Sequence, residues 1–193
     1  NFASRVVKGR ALVGFHERKS ANIRDVPDCL LVNDDVRRVM ETFRPFIPHL
    51  IHAGQTLDIL IQCADGASEI ALTGKLASGW EAQAALADAL RACDLARISL
   101  RARDYEQYET LLEAKSFYKR FDSLLVKLAP GAFLQPSAEG EAALVDAVLD
   151  GVADASCVAD LFCGNGTFTG ALANGRSVIA ADNAPAAIRS LSE

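Results

Sequence analysis

Two carboxylates and a glycine turn lie where two apolar segments end, in the last third of the sequence. Asp160 ends the first of these segments, and Gly164 and Gly166 form a Gly-x-Gly turn directly after it. Asp182 ends the second segment. A strand, a glycine turn and a helix start let the backbone approach a nucleotide-like cofactor, and a carboxylate about 20 residues further on can accept hydrogen bonds from ribose hydroxyls. These residue types and spacings predict a cofactor site.

The glycine turn favours S-adenosylmethionine over a dinucleotide. Thr169 stands where the dinucleotide fingerprint requires a third small residue, which lets the helix pack closely on the strand. S-adenosylmethionine carries no pyrophosphate, and its ammonium group and ribose suit the two acids Asp160 and Asp182. Two alternatives remain open, which are a site for NAD or FAD and a tight turn that binds no ligand.

The hydrophobic pattern predicts an α/β protein whose layout changes near residue 130. Strands are expected over residues 5–15, 56–63, 69–75, 95–103, 110–117 and 123–128, and helices over 36–46 and 80–93. This mixture of antiparallel strands and two helices predicts an α+β domain over residues 1–130. From residue 131 the pattern becomes helix, strand, helix, strand, which is typical of the start of a parallel sheet over residues 131–193.

Composition excludes several classes of protein. The chain has 193 residues, of which 50% are apolar, and a net charge of -5. No stretch is long and apolar enough for a membrane span or a signal peptide. The five cysteines are odd in number and lack CxxC spacing, which fits a reducing cytosol better than a disulfide framework. We therefore expect a cytoplasmic protein without a membrane partner.

Three segments of the sequence resemble the RNA uracil-C5 methyltransferases, which make 5-methyluridine in 23S ribosomal RNA or in the T-loop of transfer RNA. Residues 160–168, Asp-Leu-Phe-Cys-Gly-Asn-Gly-Thr-Phe, resemble motif I of that family. Residues 133–137, Phe-Leu-Gln-Pro-Ser, resemble its Phe-x-Gln-x-Asn loop, with Ser137 in place of Asn. Residues 14–29 resemble its Gly-Phe-Arg…Asp-Ile/Val-x-x-Cys segment. The branch resembled most is the iron–sulfur-containing 23S rRNA enzyme.

The resemblance assigns cofactor roles and identifies residues 131–193 as the N-terminal part of a Rossmann-like methyltransferase domain. It implies that Gln135 contacts S-adenosylmethionine, that Phe162 and Thr167 line the cofactor, and that Asp182 takes the ribose hydroxyls. The expected cofactor-binding residues are Gln135, Asp160, Phe162, Gly164, Gly166, Thr167 and Asp182.

The resemblance also gives Cys29 a role that the residue pattern alone does not. By its pattern, Cys29 is a small buried apolar residue. In the family this position is the last of four ligands of a 4Fe-4S cluster, which needs about four thiolates. We expect the other three before position 1, so that a cluster is expected in the intact protein and not in this fragment.

Basic residues mark the expected RNA-binding surface, with ribosomal RNA favoured over transfer RNA as the partner. They lie in a turn near the N-terminus and in a segment near residue 120: Arg18, Lys19, Arg24, Lys119 and Arg120. Such side chains can bind backbone phosphates. Phe117, Tyr118 and Phe121 alternate with the second group and could stack on bases, or they could face the core. A solvated charged loop is the alternative for the first group.

No catalytic residue is predicted within the chain. The family's nucleophilic cysteine and basic glutamate are expected beyond Glu193, and its N-terminal barrel is also expected outside the chain, so the fragment alone is expected to be inactive. Cys163 is expected to belong to motif I and not to be the nucleophile. An incomplete sheet exposes an apolar edge, so we expect the C-terminal part to be poorly ordered or to self-associate. The alternative functions are an RNA-binding or interaction module without catalysis, a tRNA uracil-5-methyltransferase, and a nicotinamide-dependent oxidoreductase.

Overall fold

The chain forms two compact units in a computed structural model that describes residues 1–192. The first unit comprises residues 1–116, and the second begins at Phe117. The sequence placed a domain boundary at residue 130, 14 residues later. The hairpin over residues 118–127 contacts helices of the second unit, and this packing explains the earlier division. The assignment of residues 1–130 and 131–193 to domains of a methyltransferase stays a prediction.

The first unit is built on one seven-stranded sheet. Its strands are β1 (Phe2–Val7), β2 (Arg10–His16), β3 (Ile23–Asp25), β4 (Thr56–Ala64), β5 (Ala67–Gly74), β6 (Leu95–Arg101) and β7 (Glu109–Glu113). The strand order is β3-β2-β1-β4-β5-β6-β7. Its helices are α1 (Asp34–Phe43), α2 (Ile47–Leu50) and α3 (Trp80–Ala92), with a 3₁₀ turn at Arg44–Phe46.

Alternation along β4 gives this sheet an apolar face. Leu57, Ile59 and Ile61 are buried at every second position of the strand and belong to one hydrophobic core. Phe43 of α1 and Leu86 of α3 belong to the same core. The two-residue period of the strand and the helical spacing of α1 and α3 therefore bury one continuous core.

Three details of the first unit differ from the sequence-based predictions. The single strand expected over residues 5–15 is the hairpin of β1 and β2, with its turn at Lys8 and Gly9, both at positive φ. Helix α1 ends at Phe43 and not at 46, because Pro45 has no N–H to continue the helical ladder. Strands β5 and β6 pair in parallel, and α3 forms the crossover between them that parallel pairing requires.

Over residues 117–192, the second unit contains two small sheets and three helices. Its elements are β8 (Tyr118–Phe121), β9 (Leu124–Lys127), α4 (Ala138–Gly151), β10 (Cys157–Leu161), α5 (Thr167–Leu172), β11 (Ser177–Ala181) and α6 (Pro185–Ser192). β8 pairs with β9 antiparallel, and β10 pairs with β11 in parallel. The parallel pair and its connecting helix form a β-α-β unit, which the sequence predicts.

One face of the β10–β11 pair is open. Leu161 is 65% exposed and Ile179 is 63% exposed, and both are apolar side chains on the same face. Parallel strands are normally covered on both faces. The exposed apolar edge and the self-association expected from the sequence stay predictions. Within residues 1–192, no helix combines the length and the apolar character needed to cross a membrane.

Candidate functional site

Strand β10 ends at a fixed carboxylate. Asp160 is buried, and its Oδ2 accepts a hydrogen bond of 2.5 Å from the hydroxyl of Thr169 in the first turn of α5. One strand residue and one helix residue thus hold each other in place. An ionised carboxylate has about four acceptor positions, so Asp160 keeps capacity for a cationic or hydrogen-bonding ligand.

The glycine turn between β10 and α5 requires both of its glycines. The N–H of Gly166 donates to the carbonyl of Cys163 at 2.9 Å, and the φ angles of Gly164 and Gly166 are 54° and 90°. Such positive angles favour glycine. A Cβ on Gly164 would meet no atom within 4 Å, whereas a Cβ on Gly166 would lie 2.5 Å from Cδ2 of Leu191. The backbone at Gly164 is therefore open to approach, and Gly166 is packed against α6.

Asp182 ties the end of β11 to this turn. Its Oδ1 accepts from the N–H of Ala184 at 2.7 Å, and its Oδ2 accepts from the N–H of Gly164 at 2.8 Å. These backbone hydrogen bonds, that of Ala184 first, hold the pKa of Asp182 below its ordinary value. The carboxylate is thus ionised at neutral pH, and its remaining lone pairs can accept hydrogen bonds from a ligand.

Asp160 and Asp182 give the glycine turn a negative electrostatic potential. Burial raises the pKa of the Cys163 thiol, and the negative charges of Asp160 and Asp182 raise it further. A thiolate is therefore disfavoured at Cys163. The expectation that this residue is not the nucleophile stays a prediction. The same field favours a ligand that carries positive charge.

A loop that carries Gln135 contacts the turn through a residue that the sequence did not single out. Asn165 is buried, and its Nδ2 donates a hydrogen bond of 2.8 Å to the backbone carbonyl of Phe133. Gln135 follows two residues later and is half-buried. The hydrogen bond joins two segments that the sequence predicted as separate parts of one site. Nothing in the residue pattern marks the amide of Asn165 for this contact.

Phe162 and Thr167 flank the turn. Phe162 is 80% exposed and has a φ of 64°, an unfavourable angle for a residue with a Cβ. Thr167 is the first residue of α5. The structure thus brings the acids, both glycines and Thr167 together at one turn, with Gln135 on the adjoining loop. Their binding roles stay predictions.

The predicted RNA-binding residues fall into two groups. Arg18 and Lys19 are exposed in the turn between β2 and β3, Arg24 is exposed on β3, and none of the three makes an ion pair with the described residues. Lys119 differs, because its Nζ lies 2.7 Å from Oε2 of Glu141 and both side chains are only 16% exposed. Lys119 is therefore neutralised within the protein, whereas Arg120 is exposed.

Two of the three aromatic residues near Arg120 are buried and are not available to stack on bases. Phe117 and Phe121 are buried, and Tyr118 is 40% exposed. The stacking interpretation is wrong for the two phenylalanines, and the core-facing alternative is correct for them. Strand alternation explains the result, because Phe121 belongs to a hairpin whose side chains point to opposite sides.

Cys29 is buried in the first unit beside a small pocket. The pocket is also lined by Met40 and by the charged residues Arg37, Glu41 and Arg44. Among residues 1–192, no group of three or more histidine, cysteine or acidic side chains is arranged to hold a metal ion. The role of Cys29 as a cluster ligand in the intact protein therefore stays a prediction.

No family model matches the chain. The sequence relatives found by comparison with known proteins are named RNA methyltransferases. An uncharacterized RNA methyltransferase of Caulobacter vibrioides is 30% identical over 187 residues, which are 94% of this chain and 43% of the relative. One of Brucella melitensis is 28% identical over 190 residues, 98% of this chain and 44% of the relative. The chain is similar to bacterial RNA methyltransferases. It spans less than half the length of these relatives.

A solved structure identifies the fold. The tRNA (uracil-54, C5)-methyltransferase of Pyrococcus abyssi, in complex with S-adenosyl-L-homocysteine, matches 97% of this chain and 49% of its own, with a TM-score of 0.72 and 18% identity. The chain thus shares the fold of about half of that structure, and the predicted α/β fold class is confirmed.

Proposed function

We propose that this protein is an S-adenosylmethionine-dependent methyltransferase that acts on carbon 5 of a uridine in RNA, and that the turn between β10 and α5 holds the cofactor. The observation that carries the proposal is the pairing of two carboxylates with an open glycine turn. Asp160 is buried on one side of the turn, and Asp182 binds the N–H of Gly164. The similarity to RNA methyltransferases and the methyltransferase fold support the same assignment.

The charge of the site fits S-adenosylmethionine better than a dinucleotide. The acids Asp160 and Asp182 both contribute negative field at Cys163. That field attracts the ammonium and sulfonium groups of S-adenosylmethionine, whereas it repels a pyrophosphate. The backbone at Gly164 is open enough for a ligand to approach. The nicotinamide-dependent alternative is therefore the weaker one.

Each residue of the site has a proposed part in binding. Asp182 accepts hydrogen bonds from the ribose hydroxyls with the lone pairs that its backbone partners leave, and Asp160 attracts the ammonium group. Gln135 supplies an amide from the adjoining loop, and Phe162 and Thr167 line the cofactor. When bound, S-adenosylmethionine supplies an electrophilic methyl group.

The proposed reaction needs residues that we do not assign within the chain. Carbon 5 of uracil is a poor nucleophile until a thiolate adds to carbon 6 and creates an enolate, which can take the methyl group. A base then removes the proton from carbon 5, so that the thiolate can leave. The raised pKa of Cys163 argues against that residue as the thiolate. We propose that the nucleophilic cysteine and the basic glutamate lie outside residues 1–193.

We propose 23S ribosomal RNA as the substrate, with the turn between β2 and β3 as a phosphate-binding surface. The exposed cations Arg18, Lys19 and Arg24 support this surface, and the resemblance of residues 14–29 to the iron–sulfur branch supports the choice of RNA. Cys29 is then the one cluster ligand that this chain supplies. A transfer RNA substrate is the alternative, and the fold is compatible with both.

Titration calorimetry with two ligands tests the cofactor class. We expect the protein to bind S-adenosylhomocysteine and to give no heat with NAD. Binding of NAD without binding of S-adenosylhomocysteine would support the oxidoreductase alternative. Binding of structured RNA with neither ligand bound would support an RNA-binding module without catalysis.

Transfer of a tritiated methyl group tests the substrate. The protein in its full-length form is incubated with labelled S-adenosylmethionine and with unmodified transcripts of 23S ribosomal RNA or transfer RNA. Label is expected in 5-methyluridine of the ribosomal transcript. Label confined to the transfer RNA, or to a nucleoside other than 5-methyluridine, would contradict the proposed substrate.

A further inference from the structure

We infer that Asn165 is a positioning residue that fixes the loop carrying Gln135 against the cofactor turn before the cofactor binds. This inference rests on the proposed function, because it concerns the same cofactor site. It adds a residue that neither the sequence pattern nor the resemblance assigned to that site.

The contact made by Asn165 is well defined and buried. Asn165 is 8% exposed, and its Nδ2 donates to the carbonyl of Phe133 at 2.8 Å across 32 residues of chain. A buried amide that lost this acceptor would leave a polar group without a partner, which proteins avoid. The hydrogen bond therefore holds the loop to the turn whether or not a ligand is present.

Gln135 lies between two anchors of its loop. On one side, Phe133 is held by Asn165. On the other, Ser137 is the N-cap of α4, and its hydroxyl accepts from the N–H of Gly140 at 3.0 Å. Each anchor is two residues from Gln135, so the Cα of Gln135 lies within about 7.6 Å of the Cα of each anchor residue. The backbone at Gln135 has little freedom while both anchors hold.

The glycine turn that carries Asn165 is also held in place by hydrogen bonds. Asn165 lies between Gly164, which donates to Asp182, and Gly166, which donates to Cys163. One amide therefore connects the Gln135 loop to the turn that carries the proposed ribose-binding acid. A loop already held in its binding position loses less conformational entropy when the ligand binds. We expect removal of the Asn165 amide to weaken S-adenosylhomocysteine binding about tenfold.

A double-mutant cycle tests whether Asn165 acts through Gln135. Calorimetry compares the wild-type protein with Asn165→Ala, Gln135→Ala and the double variant. Each single variant is expected to bind about tenfold more weakly, and the double variant no more weakly than Gln135→Ala. Losses that add in the double variant would overturn the positioning role. Asn165→Asp keeps the size of the side chain but lacks the donor, and it is expected to match Asn165→Ala.

Asn174→Ala is the matched control. The amide of Asn174 donates to a carboxylate oxygen of Asp122 in the same unit, at 2.5 Å. Its loss removes an exposed side-chain amide hydrogen bond of the same unit, outside the proposed site. Binding is expected to stay within about twofold of wild type. A tenfold loss in this variant would contradict the inference, since any weakened hydrogen bond in the unit would then have the same effect.

Hydrogen exchange of the unliganded protein tests the connection without reference to the cofactor. Asn165→Ala is expected to increase amide exchange over residues 131–135 and to leave residues 124–127 of β9 unchanged. Unchanged exchange in the loop would overturn the inference even if the proposed function holds. A wild-type protein that binds no S-adenosylhomocysteine would instead refute the proposed function and the positioning role with it.

Discussion

The carboxylate of Asp182 accepts a hydrogen bond from the backbone N–H of Gly164 at 2.8 Å, although 18 residues separate them along the chain. This contact ties the end of β11 to the turn after β10, so that the two strand ends form one surface. The sequence assigned Asp182 to a ligand, and the structure adds that the same carboxylate holds the glycine turn in place.

Replacement of Asp182 by Asn is expected to make the stability of the protein less sensitive to acid. Hydrogen bonds from Ala184 and Gly164 lower the pKa of Asp182 from its ordinary value of 3.8. The contribution of the ionised Asp182 carboxylate to stability is therefore fully present above pH 3.8, the pKa of the unfolded state. It is lost as the pH falls through the lower pKa of the folded state. Urea unfolding at several pH values from 7 down to 3 should show that the free energy of unfolding falls less for Asp182→Asn than for wild type. Parallel curves would contradict this account.

Gly170 is expected to tolerate no side chain, although helices generally favour Ala over Gly. A Cβ at Gly170 would lie 2.1 Å from the carbonyl oxygen of Phe121, a backbone atom that cannot move aside easily. Gly170→Ala should therefore destabilise the protein by about 1–3 kcal/mol, because overpacking outweighs helix propensity. Urea unfolding checks the value. The control is Gly151→Ala in α4, where a Cβ meets no atom within 4 Å and a gain of about 0.5–1 kcal/mol is expected. Equal effects at the two sites would contradict the packing argument.

The first unit contains a buried ion pair whose partners depend on each other. Arg97 Nε lies 2.5 Å from Glu69 Oε2, and both side chains are buried on adjacent parallel strands. Arg97→Met should cost about 3–5 kcal/mol, because it removes one member of a buried ion pair. The double variant Glu69→Leu/Arg97→Met should recover most of that loss in urea unfolding. Arg38→Met removes one partner of the exposed pair with Asp35 and should change stability by less than about 1 kcal/mol. A double variant as unstable as the single one would contradict the pairing.

Removal of the basic side chains of Arg18, Lys19 and Arg24 is expected to weaken binding to RNAs of different sequence by a similar factor. The triple variant Arg18→Ala/Lys19→Ala/Arg24→Ala should reduce the slope of log affinity against log salt by about 2–3, since each lost phosphate contact contributes about 0.7–0.9. Filter binding at several salt concentrations measures the slope. Arg91→Ala, which removes one exposed cation already paired with Asp88, should leave the slope unchanged. An unchanged slope in the triple variant would exclude this turn from the interface.

The parts of the site that depend on local sequence pattern could be predicted from the sequence. The pattern around Asp160, Gly164 and Asp182 was sufficient to predict a strand, a glycine turn and a second strand, because apolar segments and glycines at fixed spacing have few alternatives. The same holds for α3, which was expected at residues 80–93 and occurs at Trp80–Ala92.

Contacts between segments that are distant in the sequence could not be predicted from the sequence alone. The ion pair of Lys119 with Glu141, the burial of Phe117 and the parallel pairing of β5 with β6 all depend on tertiary packing. Alternation of charged and aromatic residues near position 120 fits a binding surface and a hairpin that packs on its own unit equally well. The amide of Asn165 was missed for the same reason, since its acceptor is a backbone carbonyl 32 residues away.

Calorimetric titration with S-adenosylhomocysteine of Asp182→Ala and Gln135→Ala tests the central claim most directly. We predict that each variant binds at least about tenfold more weakly than wild type, as expected for the loss of hydrogen bonds to the ligand. Asp154→Ala, which removes an exposed acid of the same unit, should bind as wild type does. Affinities of Asp182→Ala and Gln135→Ala equal to that of wild type would contradict the cofactor site proposed for this turn.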